Sequence, residues 1–262
     1  MSTIALQMYT LRNHMADRDE LNETLSRVAS IGYRNVQISI PEWLDARVLR
    51  SMLDSHGLKA DSVLAPVGTI AANIDAIAET GEILGTDVAR TTSIPTSLRD
   101  SADGYRKFCE QLNEEGRLLK ERGLRRFFYH FHAFEFIDFD GVRGIDILLS
   151  DLDPAYVQFQ PDVFWLTSAG TEPSSSLYLF SGRAEYMHVK DYAITRHTGK
   201  LEGVPRCFAP VGKGNLNWPG ILKAAADIGI KRFVVEQDMC DGDPFECIQV
   251  SFNSLRAMGI EA

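Results

Sequence analysis

Four residues in the second half of the sequence have the types and placement of a metal site: Glu135 in YHFHAFEF, Asp162 in QFQPDVFW, His188 in YMHVKD and Glu236 in VVEQD. Each lies in or just after a short run of β-branched and aromatic residues, at the C-terminal end of an expected strand. If those strands share one sheet, three carboxylates and an imidazole face one another. Such a cluster repels itself, and burying it costs free energy or forces protonation. A bound divalent cation removes the conflict. One nitrogen, three carboxylates and no thiolate leave room for two further oxygen ligands, which suits Mn²⁺, Mg²⁺ or Co²⁺, with Zn²⁺ also open. The expected cofactor is therefore one divalent ion (Mn, Co, Zn or Mg).

Taken singly, each residue has a plainer role. Glu135 could be a loop acid in FEFIDFDG, and Asp162 a helix cap after Pro161. His188 could be a core histidine between Met187 and Val189, and Glu236 half of a structural ion pair. The joint occurrence at the ends of four consecutive strands favours the metal. His130 and His132 share one face of the fifth strand by its period of two, so both could line the interior and bind substrate hydroxyls. Trp165 and Trp43, just after strand ends, could offer an apolar face to a bound ligand.

The elements that must position these residues are announced by a recurring phrase: a helical pattern, a glycine, then a β-type run. It appears in SIGYRNVQISI, SHGLKADSVLA, ILGTDVARTTSI, ERGLRRFFYHFH, FSGRAEYMHVK and DIGIKRFVVEQD. The glycine sits where a helix ends in the left-handed conformation. With an opening strand at 4–9 and another near 155–161, the strands fall near 4–9, 35–40, 59–65, 87–94, 125–132, 155–161, 184–190 and 232–237. Helices are expected near 20–31, 45–56, 74–84, 101–122, 143–151, 172–181, 218–228 and 243–258. Asp19 or Asn22 caps the first, Ser101 opens the fourth, and Asp243-Pro244 starts the last. Over 262 residues, eight units come to about 33 residues each, the size of one βα step. No GxGxxG follows the first strand, which disfavours a doubly wound sheet. The expectation is a single (β/α)8 TIM barrel over 1–262, α/β in class. Residues 191–217 form one long structureless connection on the C-terminal face, where barrels build active sites.

Composition narrows the partners. With 27 Lys and Arg against 36 Asp and Glu, the formal charge is -9 and the pI about 5.2, the wrong sign for a nucleic-acid partner. No apolar run is long enough for a membrane span, and the opening residues lack a basic stretch and apolar core, so a cytoplasmic protein is expected. Cys109, Cys207, Cys240 and Cys247 form no CxxC and read as free thiols. Arg196, Lys200, Arg206 and Lys213 make the long connection basic within an acidic chain.

The segments YHFHAFEF, PDVFWLTSAG, MHVKD, VGKGNLNWPGIL and VVEQD resemble the sugar phosphate isomerase/epimerase group within the xylose isomerase-like barrel superfamily. The likeness runs through 125–255 and, more weakly, through QMYTLR and IGYRNV. It implies one divalent metal held by Glu135, Asp162, His188 and Glu236, with Lys190 and Asp191 of the HVKD phrase as substrate contacts. The chain departs from the family pattern at Gln37, where a glutamate is common, at Phe131, where an asparagine is common, and at Lys213, where an acid is common. SVLAP in the third strand supplies no histidine.

The expected reaction is isomerisation or epimerisation of a keto- or aldo-sugar, or a sugar derivative, through an enediolate, with Glu135 and Glu236 exchanging the proton from opposite sides. Alternatives are a metal-dependent sugar or polyol dehydratase, an endonuclease of the DNA-repair branch, and a non-catalytic sugar-binding barrel. The missing early histidines and the negative charge count against the endonuclease. A homodimer is left open by apolar residues Val250, Leu255 and Met258 of the last helix.

Overall fold

In the computed structural model, which describes residues 2–194 and 206–262, eight parallel strands alternate with helices around a nearly closed barrel. The barrel strands are β1 (Thr3–Gln7), β2 (Asn35–Gln37), β3 (Lys59–Leu64), β4 (Val88–Thr92), β5 (Arg126–His130), β6 (Gln158–Gln160), β7 (Tyr186–Val189) and β8 (Arg232–Val235). Strand β1 lies between β2 and β8, the meeting of the two chain ends that makes a sheet cyclic. The last gap, between β6 and β7, is spanned by a single parallel bridge, Asp162 to His188, with the His188 amide donating to the Pro161 carbonyl at 2.8 Å. The sequence-expected (β/α)8 barrel is what forms.

Seven of the eight strands fall within their expected windows, and β1 begins one residue before its own. The main helices are α1 (Arg18–Ile31), α2 (Ala46–Ser55), α3 (Ile70–Leu84), α4 (Ala102–Glu121), α5 (Gly144–Asp151), α6 (Val163–Ser168), α7 (Pro173–Ser176), α8 (Trp218–Ile228) and α9 (Pro244–Ala257). The six phrase glycines all have positive φ; Gly85 (73°) and Gly229 (87°) end α3 and α8 in the left-handed conformation. Ser101 caps α4 and Asp243 caps α9 as anticipated, whereas α1 is capped by Asp17, whose carboxylate accepts from the Asp19 and Glu20 amides at 2.9 Å. The helix expected over 172–181 is instead α7 plus a 3-10 turn (Leu177–Phe180), preceded by α6 and by Gly170 at φ 80°. Pro173 cannot donate to a preceding turn, so it restarts the helix rather than continuing it.

The long connection is not structureless. Residues Asp191–Ile194 pair antiparallel with Arg206–Ala209, so a two-stranded ribbon rises from the C-terminal end of β7. Arg196 and Lys200, part of the basic character expected there, lie outside the described residues.

Two apolar regions hold the fold. The larger lies between the strands and the helices and includes Leu6, Leu25, Leu112, Phe127, Phe159 and Phe233. The smaller, Ala5, Val88, Phe128, Tyr186 and Val234, plugs the barrel itself. Because side chains alternate along a strand, residues two steps beyond this plug point the same way, inward and above it. Those residues are Gln7, Arg90, His130, His188 and Glu236, and all of them line one cavity at the C-terminal end. Among the described residues no helix is long and apolar enough to cross a membrane.

Candidate active site

The apolar plug is the floor of a cavity of about 640 Å³ whose walls include Gln7, Gln37, Arg90, His132, Trp165 and Lys190. On its β5–β8 side, one ligand atom from each of His130, Asp162, His188 and Glu236 lies within 4.8 Å of the others, and all four residues are buried. Nδ1 of His188 stands 2.9 Å from Oε2 of Glu236 and 3.6 Å from Oδ2 of Asp162, and Nε2 of His130 stands 4.0 Å from that same Oδ2. The chain therefore brings Asp162, His188 and Glu236 together as anticipated.

Glu135 does not join them. Strand β5 ends at His130, and a 3-10 turn over Phe134–Phe136 carries Glu135 behind the cavity wall. There its carboxylate accepts from the Tyr129 hydroxyl and, at 2.8 Å, from the His132 amide. His130, expected as a substrate contact, occupies the place in the cluster expected for Glu135. The signal lay in the alternation along β5: Phe128 is in the plug, so His130 must face inward, whereas Glu135 lies beyond the strand.

Three atoms test whether this cluster suits a metal ion. Oδ2 of Asp162, Nδ1 of His188 and Oε2 of Glu236 are buried, and none makes a well-aligned hydrogen bond. Their near neighbours are one another and the Lys190 ammonium, 2.8 Å from Oε2 and 3.2 Å from Oδ2, so the three converge on a place that favours positive charge. The rest of each side chain is committed elsewhere. Oδ1 of Asp162 caps α6, accepting from the Phe164 and Trp165 amides at 2.9 and 3.2 Å. Nε2 of His188 is 3.2 Å from the amide oxygen of Gln37, while Nδ1 faces Glu236 and Asp162, which raise the imidazole's pKa against its burial, so a metal ion would replace a proton at Nδ1. Gln37 is tied in turn to Gln7 and Gln160 by side-chain hydrogen bonds of 3.2 to 3.4 Å. Burial, and then the neighbouring His188, His132 and Lys190, push the pKa of His130 well below its ordinary value, so it is neutral and ligand-competent. The site could hold a divalent metal ion.

Lys190, one alternation beyond His188, reaches the same oxygens: Nζ lies 2.8 Å from Oε2 of Glu236, 3.2 Å from Oδ2 of Asp162 and 3.1 Å from Oδ2 of Asp238. Burial alone would discharge the amine, but the three carboxylates outweigh it and raise its pKa. His132 lines the cavity 5.1 Å from the Trp165 ring, and burial brings its pKa down to about 4. Phe208 of the ribbon stacks on Phe164 at 4.1 Å and lines the cavity with Trp165. Trp43 is half exposed and is not part of that wall.

Asp191, expected to meet substrate, faces away from the cavity, as alternation from His188 and Lys190 requires. It is fully buried, and its carboxylate accepts from the Gly212, Gly214 and Leu216 amides and, at 2.7 Å, from the Trp218 indole. Its work is to anchor 210–218 beneath the ribbon. Gly214 is required there because a Cβ would overlap the Asp191 carboxylate and the Tyr192 carbonyl. Arg90, Asp238, Tyr9, Arg12 and Phe208 also line the cavity and were not singled out from sequence; Arg90 carried a signal, a charge in the middle of an otherwise apolar strand.

Comparison with known proteins agrees with this architecture. No curated protein matches the sequence significantly. Among solved structures, a sugar phosphate isomerase/epimerase from Parabacteroides distasonis superposes with a TM-score of 0.80 at 21% identity, covering 98% of this chain and 94% of that one. The IOLI protein, solved with a zinc atom, gives 0.74 at 16% identity, with 97% of each chain covered. A xylose isomerase-like TIM barrel protein from Mycobacterium smegmatis in complex with magnesium gives 0.66 at 16% identity, covering 97% and 98%. At these identities the likeness shows the fold. The family model of the xylose isomerase-like TIM barrel matches residues 25–256, and the chain belongs to that family.

Proposed function

We propose that the protein is a divalent-metal-dependent isomerase or epimerase of a small sugar or sugar derivative, acting by proton transfer through an enediolate. The observation that carries this reading is the convergence of Asp162, His188 and Glu236 beside His130 at the open end of the barrel, with one ligand atom of each buried residue within 4.8 Å of the others. Two imidazoles and two carboxylates, from His130, His188, Asp162 and Glu236, would hold the ion, a set richer in nitrogen than anticipated and better suited to Zn²⁺, Co²⁺ or Mn²⁺ than to Mg²⁺. When bound, the ion supplies Lewis acidity toward a substrate carbonyl and its neighbouring hydroxyl.

The chain's own residues do the rest. Oε2 of Glu236 lies in the cluster, so its other oxygen is the one free to take a proton from carbon. The Lys190 ammonium, held between Glu236, Asp162 and Asp238, fixes the position of the Glu236 carboxylate and offsets the charge of the cluster. His132, Trp165 and Phe208 form the wall that orients the sugar and excludes water. Glu135 is a positioning residue: by holding the His132 amide, it fixes where that ring stands. The pairing of Glu135 with Glu236 across the substrate gives way to this arrangement because Glu135 does not reach the cavity.

Elemental analysis of protein purified without chelator tests the reading. About one transition-metal ion per chain is expected in the parent and a large loss in Glu236→Gln and His188→Ala. The metal-loaded parent should then exchange solvent deuterium into a ketose or aldose, and Glu236→Gln should not. Absence of metal after reloading, or exchange that persists in Glu236→Gln, would overturn the scheme.

A further inference from the structure

Opposite the ligand cluster, on β4, stands a charge that the reaction above does not use. Arg90 is only 5% exposed, yet its one side-chain hydrogen bond is to the Ser39 hydroxyl, at 3.3 Å, and its Nε–H is buried without any partner. A guanidinium offers five donors. Among the described residues no carboxylate lies within ion-pair distance of it. Alternation from Val88 in the plug points it inward, and it lines the cavity. Burying an unpaired cation is costly unless a partner arrives. A neutral side chain such as glutamine, used at three other positions of the cavity wall (Gln7, Gln37 and Gln160), would have filled the place without that cost.

From this geometry we infer that Arg90 recognises an anionic group on the substrate, and that this group is a carboxylate: the molecule transformed is a sugar acid. The inference rests on the proposed function only in taking the cavity as the substrate site. The planar fork of one guanidinium matches one carboxylate in charge and in bidentate geometry. A phosphate dianion calls for more cations than this wall offers. Lys190 is committed to Asp162, Glu236 and Asp238, and Arg12, at the cavity edge, donates to the Tyr9 carbonyl and lies 4.2 Å over that ring. With its carboxylate on Arg90, a sugar acid extends from β4 toward the cluster on β5–β8.

The test is equilibrium binding to the metal-loaded protein, by titration calorimetry, of matched pairs: glucuronate and glucose, galacturonate and galactose, gluconate and glucitol, with glucose 6-phosphate alongside. In at least one pair the acid should bind roughly tenfold to a hundredfold tighter than its neutral parent. Arg90→Gln should erase that preference, so that acid and neutral parent bind alike, and Arg12→Gln should keep it. Should Arg90→Gln fail to fold, Arg90→Lys, which keeps the charge but not the fork, should cut the preference by about tenfold, and the pairwise comparison in the parent protein stands regardless. Equal binding of acid and parent in every pair, a preference that survives in Arg90→Gln, or tighter Arg90-dependent binding of the phosphate ester would each overturn the assignment. Deuterium exchange into neutral sugars without any preference for acids would sink this inference and spare the proposed function. Acids bound through Arg90 but never exchanged would do the reverse.

Discussion

The Lys190 ammonium stands 2.8 Å from the same Glu236 oxygen toward which His188 points at 2.9 Å. A fixed cation and the candidate site for a metal ion therefore share a carboxylate. Each lowers the repulsion between Asp162, Glu236 and Asp238, and each makes the other less necessary for the fold.

Replacing Lys190 by methionine should thus destabilise the metal-free protein far more than the metal-loaded one. Losing one partner of a buried charge cluster costs about 3 to 5 kcal/mol, and at about 2 to 4 °C per kcal/mol for a chain of this size the melting temperature in chelator should drop by roughly 6 to 20 °C. Saturating Mn²⁺ should close most of that gap. Equal drops with and without metal, measured by thermal denaturation, would show that the two cations do not share the site.

Asp162 has two separable duties, because one oxygen caps α6 and the other faces the cluster. Asparagine caps a helix as well as aspartate does. Asp162→Asn should retain the parent's melting temperature to within a few degrees and lose metal affinity, whereas Asp162→Ala should lose metal and about 1 kcal/mol of stability besides. Metal content and thermal melts on the two variants separate the roles. An Asn variant that still binds metal as the parent does would remove Asp162 from the ligand set.

Asp191 carries a structural load that its place beside Lys190 disguises. Asp191→Ala would strip the Gly212, Gly214 and Leu216 amides and the Trp218 indole of their shared acceptor. The expected cost is about 3 kcal/mol or more, read as a lower melting temperature and faster proteolysis near 206–218. A variant with parental stability but a raised KM would instead restore Asp191 as a substrate contact.

Glu135 supplies a pH dependence. Burial pushes its carboxyl up from the usual glutamate value of 4.5 to about 7, against the hydrogen bonds from Tyr129 and the His132 amide, which lower it. An acid with a raised folded pKa binds its proton more tightly when folded. Its contribution is complete below about pH 4.5 and is lost as pH rises through about 7. At about 1.4 kcal/mol per pKa unit, the loss amounts to at most about 3.5 kcal/mol. Glu135→Gln has no such proton to release, so the stability difference between variant and parent should move in the variant's favour between pH 5 and 8. Parallel stability curves, from urea melts across that range, would place the carboxyl in a more hydrated setting than its burial implies.

Much of this was legible in the sequence, and the reason is local. A glycine after a helical run carries its conformational freedom wherever the chain goes, which is why all six phrase glycines have positive φ and why the strands follow them on schedule. Alternation along a strand is equally local. It separates His188 and Lys190, which face inward, from Asp191, which does not, and it points to His130.

Glu135 marks the limit of that legibility. The segment YHFHAFEF is uniformly β-like, and nothing in it says that the strand stops at His130 and that a single tight turn then carries Glu135 back under Tyr129. Ribbon pairing between Asp191–Ile194 and Arg206–Ala209 is hidden for a related reason, since the two strands are distant in sequence and weak in pattern.

The sequence by itself determined the barrel, its eight strands and three of the four residues of the buried cluster, because backbone conformation and side-chain alternation depend on a few neighbouring residues. Only the tertiary structure decided that His130 is the fourth, that Lys190 shares Oε2 of Glu236, and that Arg90 lies buried across the cavity with no carboxylate of its own. Those facts concern distances of a few ångströms between side chains on different strands, and such distances are set when the sheet closes at Asp162 and His188.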